Sequence, residues 1–251
     1  MAKIVSIHSF RGGTGKSNTT ANLATTIAAS GQRVGIVDTD IQSPGIHVLF
    51  GMDARPPELT LNQYLWGTCS IAEAAYEVSA ESVKQANGAV FLVPSSSKTA
   101  DITRVLKEGY DVRLLRNGLR DLVKDLNLDF IFVDTHPGLN EETILSIGIS
   151  NILIIILRPD RQDFQGTAVT VDLAQKLKVP KILVVVNRVL PQSNLNEIRQ
   201  RVESKYNVPV AGVLPNCDEM MQLASSDLFC LRYPSHPLTI EIQQVAAQII
   251  S

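Results

Sequence analysis

Hydrophobic residues fall along this chain in two alternating rhythms. Short runs rich in β-branched residues occur at 3–7, 33–37, 89–93, 130–133, 152–157, 181–186 and 209–214. They are nearly continuous in hydrophobicity, which is how strands read when both faces of a parallel sheet are buried. Between them, segments 17–29, 101–126, 141–149, 163–177, 195–205 and 239–250 carry apolar residues at spacings of three and four, which predicts helices. The alternation predicts an α/β fold: an open, mostly parallel twisted sheet of about seven or eight strands with helices on both faces. The longest interruption, 52–60 with its Arg55-Pro56-Pro57, reads as an excursion from the sheet. With no repeat and no low-complexity linker, residues 1–251 are expected to form a single domain.

Composition narrows this picture without redirecting it. A hydrophobic fraction of 45% suits one sizeable core, and a net charge of −2 gives no bulk electrostatic case for a nucleic-acid partner, although a local basic patch stays open. The three cysteines, Cys69, Cys217 and Cys230, have no C-x-x-C spacing, so neither a disulfide framework nor an all-cysteine zinc site is expected. The four histidines, at 8, 47, 136 and 236, lack ligand spacing and are expected to be structural. The densest apolar run, 152–157, is far too short to cross a bilayer, and the start of the chain does not read as a signal peptide. A cytoplasmic protein is expected.

In open α/β sheets, ligands sit beyond the carboxyl ends of the strands. The first strand is followed by Phe10-Arg11-Gly12-Gly13-Thr14-Gly15-Lys16-Ser17-Asn18 and then an alanine-rich helix. Strand, glycine loop and helix are the setting of a phosphate-binding loop. Gly12, Gly13 and Gly15 let the backbone wrap and turn its N–H groups inward, and the helix adds its positive end. Lys16 supplies a charge for terminal phosphates, and the Ser17 hydroxyl is a magnesium ligand of the expected kind. The standard pattern is incomplete, because Phe10 stands where its first glycine would be. Beyond the second strand lie Asp38-Thr39-Asp40, two carboxylates pointing the same way. Beyond the strand at 130–133, four hydrophobic residues run into Asp134-Thr135-His136-Pro137-Gly138.

These motifs together resemble the MinD/ParA family of P-loop ATPases, which have a deviant Walker A loop and the SIMIBI-type sheet. The resemblance runs through essentially the whole chain. It implies ATP and Mg2+ as ligands and a weak ATPase activity. It implies Lys16, Asp40 and Arg11 as catalytic residues, with Asp40 positioning the attacking water. Gly12, Gly13, Thr14, Gly15, Lys16, Ser17 and Asn18 would cradle the phosphates. Ser17, Asp38, Asp40 and Asp134 would serve the metal, and the Gly138 N–H would sense the γ-phosphate. Asn187 and Arg188 after the strand at 181–186, and Pro215 after the next, would hold the base. The chain departs from the family at Arg11, where relatives carry a lysine that reaches the partner's nucleotide in an ATP-dependent homodimer. A permanently charged planar guanidinium can grip phosphate in the same way. Asn18 replaces a common threonine, and His136 is expected to be a local hydrogen-bonder.

The resemblance also implies that cargo is positioned or partitioned through partner-stimulated hydrolysis. The last helix carries no Lys or Arg, so it is expected to dock on the sheet and not on a membrane. For nonspecific DNA binding, Arg113, Arg116, Arg120 and Lys124 form one helical stripe, and Arg188, Arg199, Arg201 and Lys205 a second set. Two other readings stand beside this one. The first is a nucleotide-dependent regulator of cell division or polar organelle placement that does not bind DNA. The second is an iron–sulfur-handling ATPase, weakened by the absence of a paired-thiol motif.

Overall fold

The computed structural model describes residues 2–251; Met1, the first residue of the single domain expected above, lies outside them. Eight strands form one sheet in the order β3-β4-β2-β5-β1-β6-β7-β8. They are β1 (Lys3–His8), β2 (Arg33–Asp38), β3 (Tyr76–Glu77), β4 (Ala89–Val93), β5 (Phe130–Asp134), β6 (Ile152–Leu157), β7 (Lys181–Val189) and β8 (Val210–Pro215). Every pairing is parallel except β3 against β4 at the edge. Among the described residues eleven α-helices accompany them: α1 (Lys16–Ala28), α2 (Leu61–Leu65), α3 (Glu81–Gln85), α4 (Thr99–Glu108), α5 (Val112–Leu126), α6 (Glu141–Gly148), α7 (Arg161–Lys176), α8 (Leu195–Tyr206), α9 (Asp218–Leu223), α10 (Phe229–Arg232) and α11 (Pro237–Ile250).

The continuous hydrophobicity of β6 has a direct cause. Ile152, Ile154 and Ile156 face a core shared with α1 and α11, while Leu153, Ile155 and Leu157 face a second core under α7 and α8. A third cluster packs α2 and α5 on the outer face of β2 and β5 through Leu61, Leu115, Leu119, Leu122, Ile131 and Val133. The last helix docks as expected. Ile242, Val245, Ala246 and Ile249 are buried. Lys3 and Lys181 donate to the carbonyls of Ile250 and Gln248, so two strand lysines satisfy the end of α11. No helix among the described residues is long and apolar enough to cross a membrane.

Segment 101–126 is not one helix. Gly109, at φ 65° and ψ −167°, ends α4, and the Asp111 carboxylate accepts from the Arg113 N–H at 2.9 Å to start α5. The excursion after β2 forms short 3₁₀ turns at Ile46–Phe50 and Met52–Ala54. Strand β3, two residues long, gives no periodicity to read.

Candidate nucleotide site

The loop after β1 is shaped by its glycines. Gly13 and Gly15 take φ of 75° and 93°, which only glycine adopts freely. At Gly15 a Cβ would also lie 2.4 Å from Asn187 Nδ2. Gly15 caps α1 with no side-chain hydrogen bond and no acidic residue in the first turn. The N–H groups at the start of α1 are thus left for an anion. Lys16 is buried beside them, and Thr14 Oγ1 is buried with no partner in the protein.

Two carboxylates meet below this loop. In the β2–β5 pairing Asp38 lies opposite Asp134, and both are buried. Burial, then the neighbouring Asp134 and Asp40, pushes the Asp38 carboxyl well above its ordinary range. Burial pushes Asp134 up to about 6, against the pull of the Ser17 hydroxyl, the Lys16 charge and the Thr20 hydroxyl. Thr20 Oγ1 donates to Asp134 Oδ1 at 3.1 Å, while Asp38 Oδ2 has no partner. Two buried carboxyls, one orphaned oxygen and two facing hydroxyls are a donor set for a hard divalent cation that prefers oxygen, as Mg2+ does. The residues present fit a magnesium-bound phosphate.

Asp40 is partly exposed, and its Oδ1 lies 2.6 Å from His136 Nδ1, so the segments after β2 and β5 are tied together. His136 is a local hydrogen-bonder, as its position predicts. Gly138, at φ 83°, donates its N–H to the Ser9 carbonyl at 3.1 Å. Buried His8 points Nδ1 at Thr135 Oγ1, 2.8 Å away, and that hydroxyl donates to the Ile7 carbonyl. The His8 ring proton therefore sits on Nδ1. Burial, with Lys16 close by, lowers the His8 pKa to about 3, so the ring stays neutral.

Arg11 points at α7. Its Nη1 lies 3.3 Å from Asp163 Oδ1 and 3.6 Å from Asp160 Oδ1. Arg158 grips the same Asp163 through its N–H and Nε at 2.9 and 3.0 Å. Burial works against the charge on Asp163, but the Arg158 bonds outweigh it and hold that carboxyl below its usual range. Phe10 packs on Gly166 of α7, where a Cβ would stand 2.1 Å from the ring. The departure at Phe10 thus anchors the loop to α7.

A cavity of about 360 Å³ opens beside the loop and gathers Gly15, Asn18, Asn187, Arg188, Pro215 and Cys217. The predicted base residues therefore share one hollow with the loop. Asn187 also acts as a strut there, donating from Nδ2 to the Thr14 carbonyl at 2.8 Å. The basic sets fare differently. Arg116, Arg120 and Lys124 are exposed on α5, and Arg113 is paired with Asp111 at 2.7 Å. The second set does not form one patch. Arg188 lines the cavity beside the loop, Arg199 donates to the Val210 carbonyl, and Arg201 and Lys205 lie exposed over the Phe164 ring at 4.8 and 5.1 Å.

Sequence reasoning missed Thr20 and Glu142. Thr20 lies three residues after Ser17 on the same face of α1, a spacing that was available to read. Glu142 carried no such signal. Burial pushes its carboxyl up to about 7, beside the hydroxyls of Tyr110 and Thr39.

The fold and the family of the chain are shared with known proteins. The AAA domain family profile matches residues 2–185. An uncharacterized ATP-binding protein of Methanocaldococcus jannaschii is 27% identical over all of this chain and 88% of its own length. The crystal structure of the cell division ATPase MinD of Pyrococcus furiosus superposes with a TM-score of 0.84 at 24% identity, covering 100% of this chain and 99% of that one. The septum site-determining protein MinD of Pyrococcus horikoshii, complexed with Mg-ADP, superposes with a TM-score of 0.82 at 23% identity, covering 99% and 96%. At these identities the two structures establish the shared fold. The chain belongs to the AAA domain family, in its MinD/ParA group of P-loop ATPases.

Proposed function

We propose that this chain is an ATP-driven positioning switch. The observation that carries the reading is the convergence of an uncapped α1 N-terminus, buried Lys16 and the facing carboxyls Asp38 and Asp134 at the carboxyl edge of one sheet. Gly12 to Asn18 hold the phosphates, and Ser17, Asp38, Asp40 and Asp134 would hold Mg2+, which would supply positive charge against the phosphates. Asp40 orients the attacking water, and Asn187, Arg188 and Pro215 wall the base.

Two contacts supply the switching elements. The Gly138 N–H, now donated to Ser9, is redirected to the γ-phosphate when ATP binds. Arg11 leaves Asp160 and Asp163 for the phosphates of a partner's nucleotide, which joins two chains face to face. Hydrolysis is slow alone and is stimulated by an adaptor protein. The exposed stripe of Arg116, Arg120 and Lys124, with Arg113, touches DNA phosphates in the dimer.

The direct test is magnesium-dependent ATP binding by calorimetry. Lys16→Ala is expected to weaken it by roughly 10–100-fold. Unchanged affinity would remove the site from consideration. A second reading, a nucleotide-dependent regulator that does not bind DNA, is favoured by the contacts that Arg199 makes to the Val210 carbonyl and that Arg201 and Lys205, though exposed, make to the Phe164 ring. Reversing Arg116 and Arg120 to Glu separates the two. The positioning switch expects salt-sensitive DNA binding by the ATP form and its loss in the double variant, whereas the regulator expects no binding by either protein.

A further inference from the structure

Behind the base cavity, the loop leaving β8 meets the start of α11. Cys217 follows Pro215 and Asn216 in the cavity wall, Glu219 lies in the first turn of α9, and His236 precedes α11 as its cap. One ligand atom from each, Cys217 Sγ, a Glu219 carboxylate oxygen and a His236 ring nitrogen, lies within 4.8 Å of the other two. His236 Nε2 stands 3.8 Å from Glu219 Oε2. Tetrahedral zinc, with bonds of about 2.0–2.3 Å, sets its ligand atoms about 3.3–3.6 Å apart. The three groups therefore need only a small inward rotamer adjustment. We propose that Cys217, Glu219 and His236 form a site for a zinc-class divalent cation, with water in the fourth position.

The chemistry of the set selects the ion. A thiolate and an imidazole favour zinc over magnesium, and one carboxylate completes a mixed three-ligand site. The imidazole is already held in place: Phe229 meets it edge-on with centroids 5.1 Å apart, and Tyr233 lies at 6.4 Å. The His236 and Glu219 side chains remain partly exposed, which leaves the ion a path in. The Leu238 N–H donates to His236 Nδ1 at 3.0 Å, so the ring proton of the metal-free protein sits on Nε2 and faces Glu219. Metal binding at Nε2 needs the other neutral tautomer. The single ring proton moves to Nδ1 by exchange with solvent, the Nε2 lone pair goes to the metal, and the Cys217 thiol releases its proton to solvent. The cap of α11 is given up, a small loss beside three ligand bonds. In exchange the ion ties the wall of the base cavity to α11.

The site is independent of the switch reading and is tested on the nucleotide-free full chain. Co2+ is titrated in the presence of a non-thiol reductant. Thiolate-to-cobalt charge-transfer absorption is expected at equimolar metal, reversed by Zn2+, lost in Cys217→Ser and retained in Cys69→Ser and Cys230→Ser. His236→Asn keeps a good helix cap while removing the imidazole, and Glu219→Gln removes the charge. Each is expected to weaken Zn2+ binding by roughly 10–100-fold, with circular dichroism unchanged. Absence of the charge-transfer band, its survival in Cys217→Ser, or unaltered affinity in both His236→Asn and Glu219→Gln overturns the proposal.

Discussion

At Asp134 the usual preference of a carboxyl group is reversed, since burial lifts it from 3.8 to about 6. A raised acid favours the folded state while it is protonated. That contribution is fully present below about pH 4 and is lost as pH rises through about 6. Above that range the nucleotide-free protein holds a buried charge that a cation would neutralise. Asp134→Asn is therefore expected to stabilise the metal-free, nucleotide-free protein at pH 8 by on the order of 1–3 kcal/mol, with little effect at pH 4, while abolishing magnesium-dependent nucleotide binding. Denaturant melts at the two pH values check the first half and calorimetry the second. A variant less stable than the parent at pH 8 would contradict this reading. Legibility at this scale followed chain proximity. Lys16, Ser17 and Asp134 announce themselves beside glycines or at strand ends, and the structure brings them together. Arg11 was legible as a departure, but its bonds to Asp160 and Asp163 were not, because those partners lie about 150 positions away in a region with no motif.

Helix α7 holds the start of the phosphate loop through packing and charge together. Phe10 lies on Gly166, and Arg11 pairs with Asp160, which caps the helix, and with Asp163 of its first turn. A Cβ at position 166 would stand 2.6 Å from Phe10 Cβ as well as 2.1 Å from its ring, so rotating the ring does not relieve the clash. Gly166→Ala is expected to cost about 1–3 kcal/mol in stability and to weaken ATP binding. Phe10→Ala in the same chain should restore part of the stability, read as a non-additive double-mutant cycle. Additive losses would mean that the two positions do not communicate. Strands and long helices were readable because both faces of the sheet are buried and helical spacing persists over several turns. The break between α4 and α5 was hidden because apolar residues recur at spacings of three and four on both sides of it, although Gly109 and Asp111 are the residues that make it. Strand β3 and the short helices α3, α9 and α10 are too brief to set a period.

At the scale of the whole molecule, the sheet brings every predicted site segment to one edge. Side-chain contacts then distinguish the members of the second basic set: Arg199 donates to the Val210 carbonyl, whereas Arg201 and Lys205 lie exposed over the Phe164 ring. Sequence spacing reports neighbours on one helix and not what lies across from it. The proposed switch requires that ATP, and not ADP, join two chains through this edge. Its most direct test is light scattering on the chain of 27.4 kDa carrying Asp40→Ala, a variant expected to preserve bound ATP by slowing hydrolysis. The mass is expected to double with Mg-ATP, to stay monomeric with Mg-ADP, and to stay monomeric with Mg-ATP once Arg11→Ala is added. A monomer that calorimetry finds saturated with ATP would contradict the switch while leaving the nucleotide site in place.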